Sequence, residues 1–224
     1  MENTPVLHTP RLTLDRFTQA DAETVCRDLF SSEAVCRNLL LQPGTPLEEV
    51  RDILRRLEEG YAVHEDFFQW AIREQGVCIG RMSLTVNRRH LGGTVAYYLA
   101  ERAWGKGYMT EVLRRVIDFA FDGLGLNRVE ADHFAENPAS GRVMEKAGMT
   151  KEGYARQKYC KNGVFHDAVL YGILKEDRTE GPLSPGKRQI DKKHRGLTGP
   201  CAFPFACAAF SQTGAVFQPL FASG

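Results

Sequence analysis

The sequence lacks long hydrophobic runs and any marked excess of charge of one sign. No apolar stretch approaches the roughly 20 residues that a membrane-spanning helix needs, and the first residues lack the charged-then-apolar pattern of a secretory signal. The formal net charge of +1 gives no electrostatic footprint for nucleic acid. We therefore expect a cytoplasmic protein that binds neither a membrane nor nucleic acid.

Patterns of metal ligands are missing as well. The cysteines show no paired spacing of the kind that holds zinc: Cys26, Cys36, Cys78, Cys160, Cys201 and Cys207. Their scatter is typical of free thiols in a reducing compartment. We expect no metal site.

Two common phosphate-binding motifs are absent. No Gly is followed by four residues and then Gly-Lys-Ser/Thr, as a P-loop requires. The string Gly105-Lys-Gly107-Tyr-Met-Thr110 has Thr where a dinucleotide fingerprint needs a third small residue. These absences argue against P-loop NTPases and Rossmann dehydrogenases.

The composition indicates a globular domain followed by an atypical tail. Hydrophobic residues make up 43% of the chain and charged residues 25%, a balance typical of a packed core under a polar surface. We place this domain at residues 1–178. Residues 179–224 combine a Pro/Gly/Ser-rich linker, a basic run and a Phe-rich segment without charge, and we assign them no function.

A glycine-rich turn is the most informative feature that the sequence does contain. Arg102-Ala-Trp-Gly-Lys-Gly107 separates a strand-like run, 94–99, from an amphipathic helix that begins near Tyr108. Backbone N–H groups in such a turn and at a helix start can bind a phosphate or pyrophosphate. An ordinary strand-to-helix turn would have the same glycines, so the motif alone leaves both interpretations open.

A second segment follows the strand-like run 128–134. Asn137 is suited to cap a helix, Pro138 to its first position and Gly148 to its end. Ser140 would then lie in the first turn, where its hydroxyl could donate a hydrogen bond. Capping residues without any chemistry would give the same pattern.

Together the two segments resemble the GCN5-related N-acetyltransferase (GNAT) superfamily. The resemblance covers about residues 6–178, and it implies that Arg102, Gly105 and Gly107 bind the pyrophosphate of acetyl-CoA. It also implies that Asn137 and Ser140 contact the pantetheine arm and the sulfur. The segments 7–17 and 163–173 resemble the RimJ/RimL-type branch, which acetylates the N-termini of ribosomal proteins.

The resemblance implies acetyl-CoA-dependent transfer to a primary amine, with a protein or peptide N-terminus as the first expectation. A small amine (antibiotic, amino acid or polyamine) is an alternative acceptor. A catalytically weak acetyl-CoA-binding or scaffold protein is another alternative. Either a monomer or a homodimer is compatible with the sequence.

The resemblance also implies a set of site residues. Ser140 is the candidate proton donor to the sulfur, and Tyr159 or Tyr154 could substitute for it. The implied acetyl-CoA site consists of Tyr98, Leu99, Arg102, Trp104, Gly105, Lys106, Gly107, Tyr108, Met109, Thr110, Asn137, Ser140 and Lys146.

The general base is unassigned. Many relatives carry Glu at the position of Thr94, and the carboxylate used in some ribosomal-protein acetyltransferases aligns near Lys158. The remaining candidates, acting through a water, are Glu136, His133, His166 and Asp167.

The predicted fold is α/β, with a mixed, mostly antiparallel sheet of seven strands and about four helices, splayed at its centre to admit acetyl-CoA. Alternation and turn residues predict strands at 11–17, 67–73, 77–86, 92–99 and 128–134, and a final hairpin around Lys161-Asn-Gly163. Helical periodicity predicts early helices at 19–30 and 46–61.

Overall fold

The computed structural model describes residues 4–178, so the predictions made for residues 179–224 lie outside the described residues. The described chain forms one sheet in the order β1-β2-β3-β4-β5-β6-β8-β7. The strands are β1 (Leu7–His8), β2 (Thr13–Asp15), β3 (Phe67–Glu74), β4 (Val77–Asn87), β5 (Gly92–Leu99), β6 (Arg128–Phe134), β7 (Thr150–Lys161) and β8 (Val164–Leu174).

Five α-helices accompany the sheet within residues 4–178: α1 (Ala22–Val25), α2 (Glu33–Arg37), α3 (Leu47–Gly60), α4 (Tyr108–Asp118) and α5 (Pro138–Lys146). Turns of π-helix at Cys26–Phe30 and Phe119–Gly123 extend α1 and α4. Helices α3 and α4 have the predicted amphipathic pattern, because their apolar residues at spacings of three and four are the buried ones.

The predicted number of strands was wrong by one. The eighth strand is β1, in which Leu7 pairs with Leu14 of β2. A strand of two residues is too short to show an alternating pattern, and only its tertiary pairing defines it. The additional helix α2 has five residues and begins at Ser32, whose side chain accepts a hydrogen bond from the Val35 N–H group.

The sheet is antiparallel except between β5 and β6. These two strands pair in parallel only from Gly92 to Thr94 against Arg128 to Glu130. Farther along, β5 continues to pair with β4 and β6 with β8. Because β5 stays paired with β4 and β6 stays paired with β8, a gap opens between residues 95–99 of β5 and 131–134 of β6. The predicted central splay is confirmed.

Helix α4 lies against the core beside this gap. Val112, Leu113 and Val116 are fully buried and belong to the same cluster as Trp70 and Val129. Trp70 therefore packs in the core. Among residues 4–178, no helix has the length and apolar character needed to cross a membrane.

Candidate functional site

The glycine turn before α4 requires glycine for its backbone conformation. Gly105 and Gly107 have φ values of 74° and 77°, in the left-handed region that side chains rarely adopt. A Cβ at Gly105 would meet nothing within 4 Å, so the space in front of the turn is open. We call this open turn, residues 102–107, the cradle; a side chain at Gly105 would enter the space in front of it.

The start of α4 presents unpaired backbone donors to the same region. Gly107 is the N-cap residue of α4 and, having no side chain, caps none of the first N–H groups of the helix. The N–H groups of Tyr108, Met109 and Thr110 have no acceptor within the helix, because its first turn has no preceding carbonyls. These groups and the helix dipole favour an anion at this end.

A cavity of about 560 Å³ lies beside this helix start. Gly107, Thr110, Arg114, Arg115 and Lys146 are among the residues that line it. The Arg114 side chain donates to the Lys146 carbonyl, which joins α4 to the end of α5. Its lining also includes Arg11, which makes four cationic side chains against the two carboxylates of Glu111 and Asp118, and this net positive charge beside backbone donors suits phosphate groups.

Arg11 is a residue of this region that the sequence analysis missed. It pairs with Glu111 at 2.7 Å, donates to the Lys106 carbonyl at 3.0 Å and lies 4.5 Å from the centre of the Tyr108 ring. These contacts hold the glycine turn against the segment between β1 and β2. Arg11 and the turn are 95 residues apart in the chain, so no local pattern indicates their contact.

The guanidinium of Arg102 is already engaged within the fold. It donates to Asp28 at 3.2 Å and to the Cys78 carbonyl at 3.3 Å. The hydrogen bond from Arg27, followed by that from Arg102, holds the pKa of Asp28 below its usual range. An anion bound at the turn would have to share Arg102 with this carboxylate.

Other residues of the predicted acetyl-CoA site contribute their side chains to the fold. Leu99 and Met109 are buried in the core. Trp104 is 48% exposed, and its indole N–H donates to the Leu99 carbonyl at 2.8 Å. Lys106 Nζ lies 3.8 Å from Glu74, which also accepts from the Tyr108 hydroxyl. Leu99 and Met109 could therefore reach a ligand in the cradle only through their backbone.

Asn137 and Ser140 meet at the start of α5. The Asn137 side-chain amide donates to Ser140 Oγ at 3.1 Å, so Asn137 does not cap the helix through its side chain. Burial raises the pKa of Tyr97 and a hydrogen bond with the Ser140 side chain partly opposes this, so the Ser140 proton can be directed at Tyr97 or at a ligand in the gap. Tyr97 of β5 donates to the Ser140 carbonyl at 3.2 Å and thereby connects the two sides of the gap.

The two tyrosines considered as proton donors are both hydrogen-bonded to carboxylates. Tyr159 donates to Asp132 at 2.7 Å, and Tyr154 donates to Asp167 at 2.6 Å. Burial, assisted by Asp132, raises the pKa of Tyr159 above its ordinary value. The proton of each phenol is thus directed at an internal acceptor.

The candidate bases differ in how they are held. Tyr154 and the Gln157 N–H group lower the pKa of Asp167 by hydrogen bonding to its carboxylate. Glu136 lies 3.5 Å from His166, and His133 is buried with Nδ1 2.7 Å from the Phe134 carbonyl.

Residues 4–178 contain no group of three His, Cys, Asp or Glu side chains that could hold a metal ion.

Comparisons with known proteins identify the family. The family model described as an acetyltransferase (GNAT) domain matches residues 11–150. The chain is also 30% identical over 174 residues to the uncharacterized N-acetyltransferase YoaA of Bacillus subtilis, which covers 76% of this chain and 97% of that protein. The chain belongs to the GNAT family of N-acetyltransferases.

Two further likenesses concern this GNAT enzyme. Over 87 residues it is 30% identical to the [ribosomal protein uS5]-alanine N-acetyltransferase of Escherichia coli, covering 39% of this chain and 45% of that protein. The crystal structure of spermidine N-acetyltransferase from Vibrio cholerae, in complex with CoA and spermine, superposes with a TM-score of 0.65 at 21% identity. It covers 76% of this chain and 99% of that one, and at this identity it supports the fold alone.

Proposed function

We propose that this GNAT enzyme transfers the acetyl group of acetyl-CoA to the α-amino group of a protein N-terminus. The observation that carries the proposal is the left-handed glycine turn with open space before it, at the start of α4 and beside the gap between β5 and β6. A thioester donor with a diphosphate needs both features, because its phosphates must be held while its sulfur enters the sheet.

The backbone would supply the main phosphate contacts. The N–H groups of Gly105, Lys106 and Gly107, together with the first turn of α4, would bind the diphosphate. Arg102 would assist only in part, since Asp28 already holds it. Thr110, Arg114 and Lys146 line the adjacent cavity and would receive the phosphate of the nucleotide end.

The gap in the sheet would hold the thioester. Between residues 95 and 99, the edge of β5 that faces β6 has no partner strand, so backbone groups on this edge, such as the Leu99 N–H, can bind the pantetheine arm. The Tyr98 carbonyl faces Gly80 of β4 instead. An N–H group on this edge could polarise the thioester carbonyl. Ser140 would protonate the departing thiolate, because its hydroxyl accepts from Asn137 and retains its own proton.

The choice of an N-terminal acceptor rests on acid–base chemistry and on one relative. An α-amino group has a pKa near 8 and a lysine side chain one near 10.4, so far more of the α-amine is neutral at physiological pH. Direct attack from a ternary complex then gains its rate mainly from holding both reactants together. The likeness to the uS5-alanine enzyme points the same way.

A thiol-release assay with two acceptor panels tests this proposal. We expect acetyl-CoA turnover with peptides that begin with a free Ala or Ser, and none with the same peptides blocked at the α-amine. A second panel contains polyamines, amino acids and aminoglycosides. Turnover on the second panel alone would assign a small-molecule acceptor, and tight CoA binding without turnover on either panel would contradict acetyl transfer.

A further inference from the structure

Amide formation requires a group that removes a proton from the attacking nitrogen. Thr94 cannot do this, and its hydroxyl donates to Glu130 at 3.2 Å. Lys158, the other position at which a carboxylate was considered, is a cation paired with Asp132. The base must therefore come from a carboxylate or an imidazole elsewhere on the walls of the gap.

Asp132 lies on the strand that borders the gap. The last parallel pair of β5 and β6 joins Thr94 to Glu130, and Asp132 follows two residues later, where β5 no longer pairs with β6. Successive side chains of a strand alternate between faces, so Asp132 shares a face with Glu130, opposite the buried Val129 and Ala131. Its side chain is 19% exposed, so it is sheltered but still accessible.

Two donors from β7 fix the orientation of this carboxylate. Tyr159 donates to Oδ1 at 2.7 Å, and Lys158 donates to Oδ2. A carboxylate can accept about four hydrogen bonds, so each oxygen keeps capacity for another donor. The ring centre of Phe134 lies 5.6 Å from that of Tyr159 and 4.8 Å from that of His166, so the tyrosine that binds Asp132 belongs to a cluster of three rings.

We propose that Asp132 is the general base for the acceptor amine, an assignment that rests on the proposed function. The amine nitrogen forms a bond to the thioester carbonyl carbon, and its proton passes to the Asp132 carboxylate directly or through a water. The C–S bond breaks, the thiolate takes the Ser140 proton, and solvent restores both side chains. The nitrogen becomes cationic and strongly acidic as it attacks, so a carboxylate is a sufficient base.

The other carboxylates of this region are less suitably placed. Glu130 lies at the last paired position before the gap, is 51% exposed and is held by Thr94 and Arg128. Asp167 lies on β8, which does not border the gap, and Tyr154 and Gln157 of the same hairpin hold its carboxylate. Glu136 faces His166 and is 61% exposed. Asp132 alone among these four is both sheltered and on β6 beside the unpaired part of β5.

The Asp132→Asn variant tests the assignment, with Glu130→Gln as a matched control on the same strand and face. In the acetyl transfer assay with the preferred acceptor, we expect Asp132→Asn to lower kcat by about 10²- to 10⁴-fold. The dissociation constant for CoA, the acceptor KM and the melting temperature should stay close to wild type. Glu130→Gln should keep kcat within about threefold of wild type, because Glu130 lies at a paired position before the gap and takes no proton in the reaction.

Asp132→Glu and Asp132→Ala separate a chemical role from a structural one. We expect Asp132→Glu to retain more activity than Asp132→Asn. Added formate should restore part of the activity of Asp132→Ala. Any of three results would overturn the assignment. They are a kcat near that of wild type in Asp132→Asn, an equal loss of kcat in Glu130→Gln, and a loss of CoA binding that matches the loss of kcat. Absence of turnover by the wild-type enzyme on every acceptor would instead reject the proposed function, and the base with it.

Discussion

At the scale of single residues, the close approach of β4 to β5 depends on Gly80. A Cβ at this position would overlap the Tyr98 carbonyl oxygen and lie 3.1 Å from the Leu99 Cα atom. Both atoms belong to the backbone of β5 and cannot move without the strand. Gly80 therefore fixes the position of the strand edge that we propose for the thioester.

Gly80→Ala should lower the free energy of unfolding by roughly 1–3 kcal/mol, the usual cost of overpacking. Gly92→Ala is the control, because its Cβ would come no nearer than 4.0 Å to the His90 carbonyl. That variant should stay within about 0.5 kcal/mol of wild type. Denaturant unfolding of both variants measures the difference, and equal stability would contradict a tight contact at Gly80.

The sequence predicts the roles of some single residues and not of others. Gly105 and Gly107 were predictable, because a left-handed turn before a helix leaves a local signature. The hydrogen bonds of Arg102 and Tyr159 were not, since their partners lie 74 and 27 residues away in the chain. Gly80 gives no local signal either, because only the pairing of β4 with β5 creates its contact.

At the scale of elements, Arg73 joins β3 to the segment that follows β2. It binds Asp15 and Asp21, each at 2.6 Å, and donates to the Arg16 carbonyl at 3.1 Å. Burial alone would raise the pKa of Asp21, but hydrogen bonds from Arg73 and Thr18 outweigh it and hold that pKa below its ordinary value. Burial still raises the pKa of Asp15. Arg73 thus opposes the effect of burial at both carboxylates and outweighs it, together with Thr18, at Asp21.

Arg73→Met should cost roughly 3–5 kcal/mol at neutral pH, because it leaves the buried Asp21 carboxylate and the partly exposed Asp15 without their cation. Arg55→Met, which breaks the exposed pair with Asp52, should cost less than about 1 kcal/mol. Since Asp21 has a lowered pKa in the fold, its contribution is present above its unfolded pKa and is lost as the pH falls through the folded one. The stability gap between wild type and Arg73→Met should therefore narrow below about pH 4. A gap that does not change with pH would contradict the role of Asp21.

The elements themselves were largely predictable. Long amphipathic patterns located α3 and α4, and the Asn162-Gly163 turn located the final hairpin. The two-residue β1 was missed because its pairing with β2 is a tertiary property. The point at which β5 and β6 part depends on their registers with β4 and β8, which no single segment encodes.

At the scale of the whole molecule, the described domain consists of two antiparallel groups of strands. Strands β1–β5 form one group and β6–β8 the other, and three parallel residue pairs and α4 join them. The interior of the first group is well shielded: burial raises the pKa of the Cys78 thiol to about 12. Cys160, on the edge strand β7, is exposed.

Alkylation with iodoacetamide at pH 8 tests this difference across the fold. Cys160 should be modified in the native protein at least about tenfold faster than Cys78, because the thiolate is the reacting form and Cys78 rarely reaches it. Both should react at similar rates in denaturant. Peptide mapping by mass spectrometry reads out each site separately, and comparable native rates would show that the β4 region opens readily.

Titration calorimetry of CoA into wild type, Gly105→Val and Gly163→Val tests the central claim most directly. Gly163 has φ 78° and open space like Gly105, but it lies in the β7–β8 hairpin, so both variants carry the same backbone strain. We expect Gly105→Val to weaken CoA binding at least about tenfold, a loss of 1.4 kcal/mol, and Gly163→Val to bind like wild type. Equal affinities in all three proteins would contradict a phosphate cradle at the glycine turn.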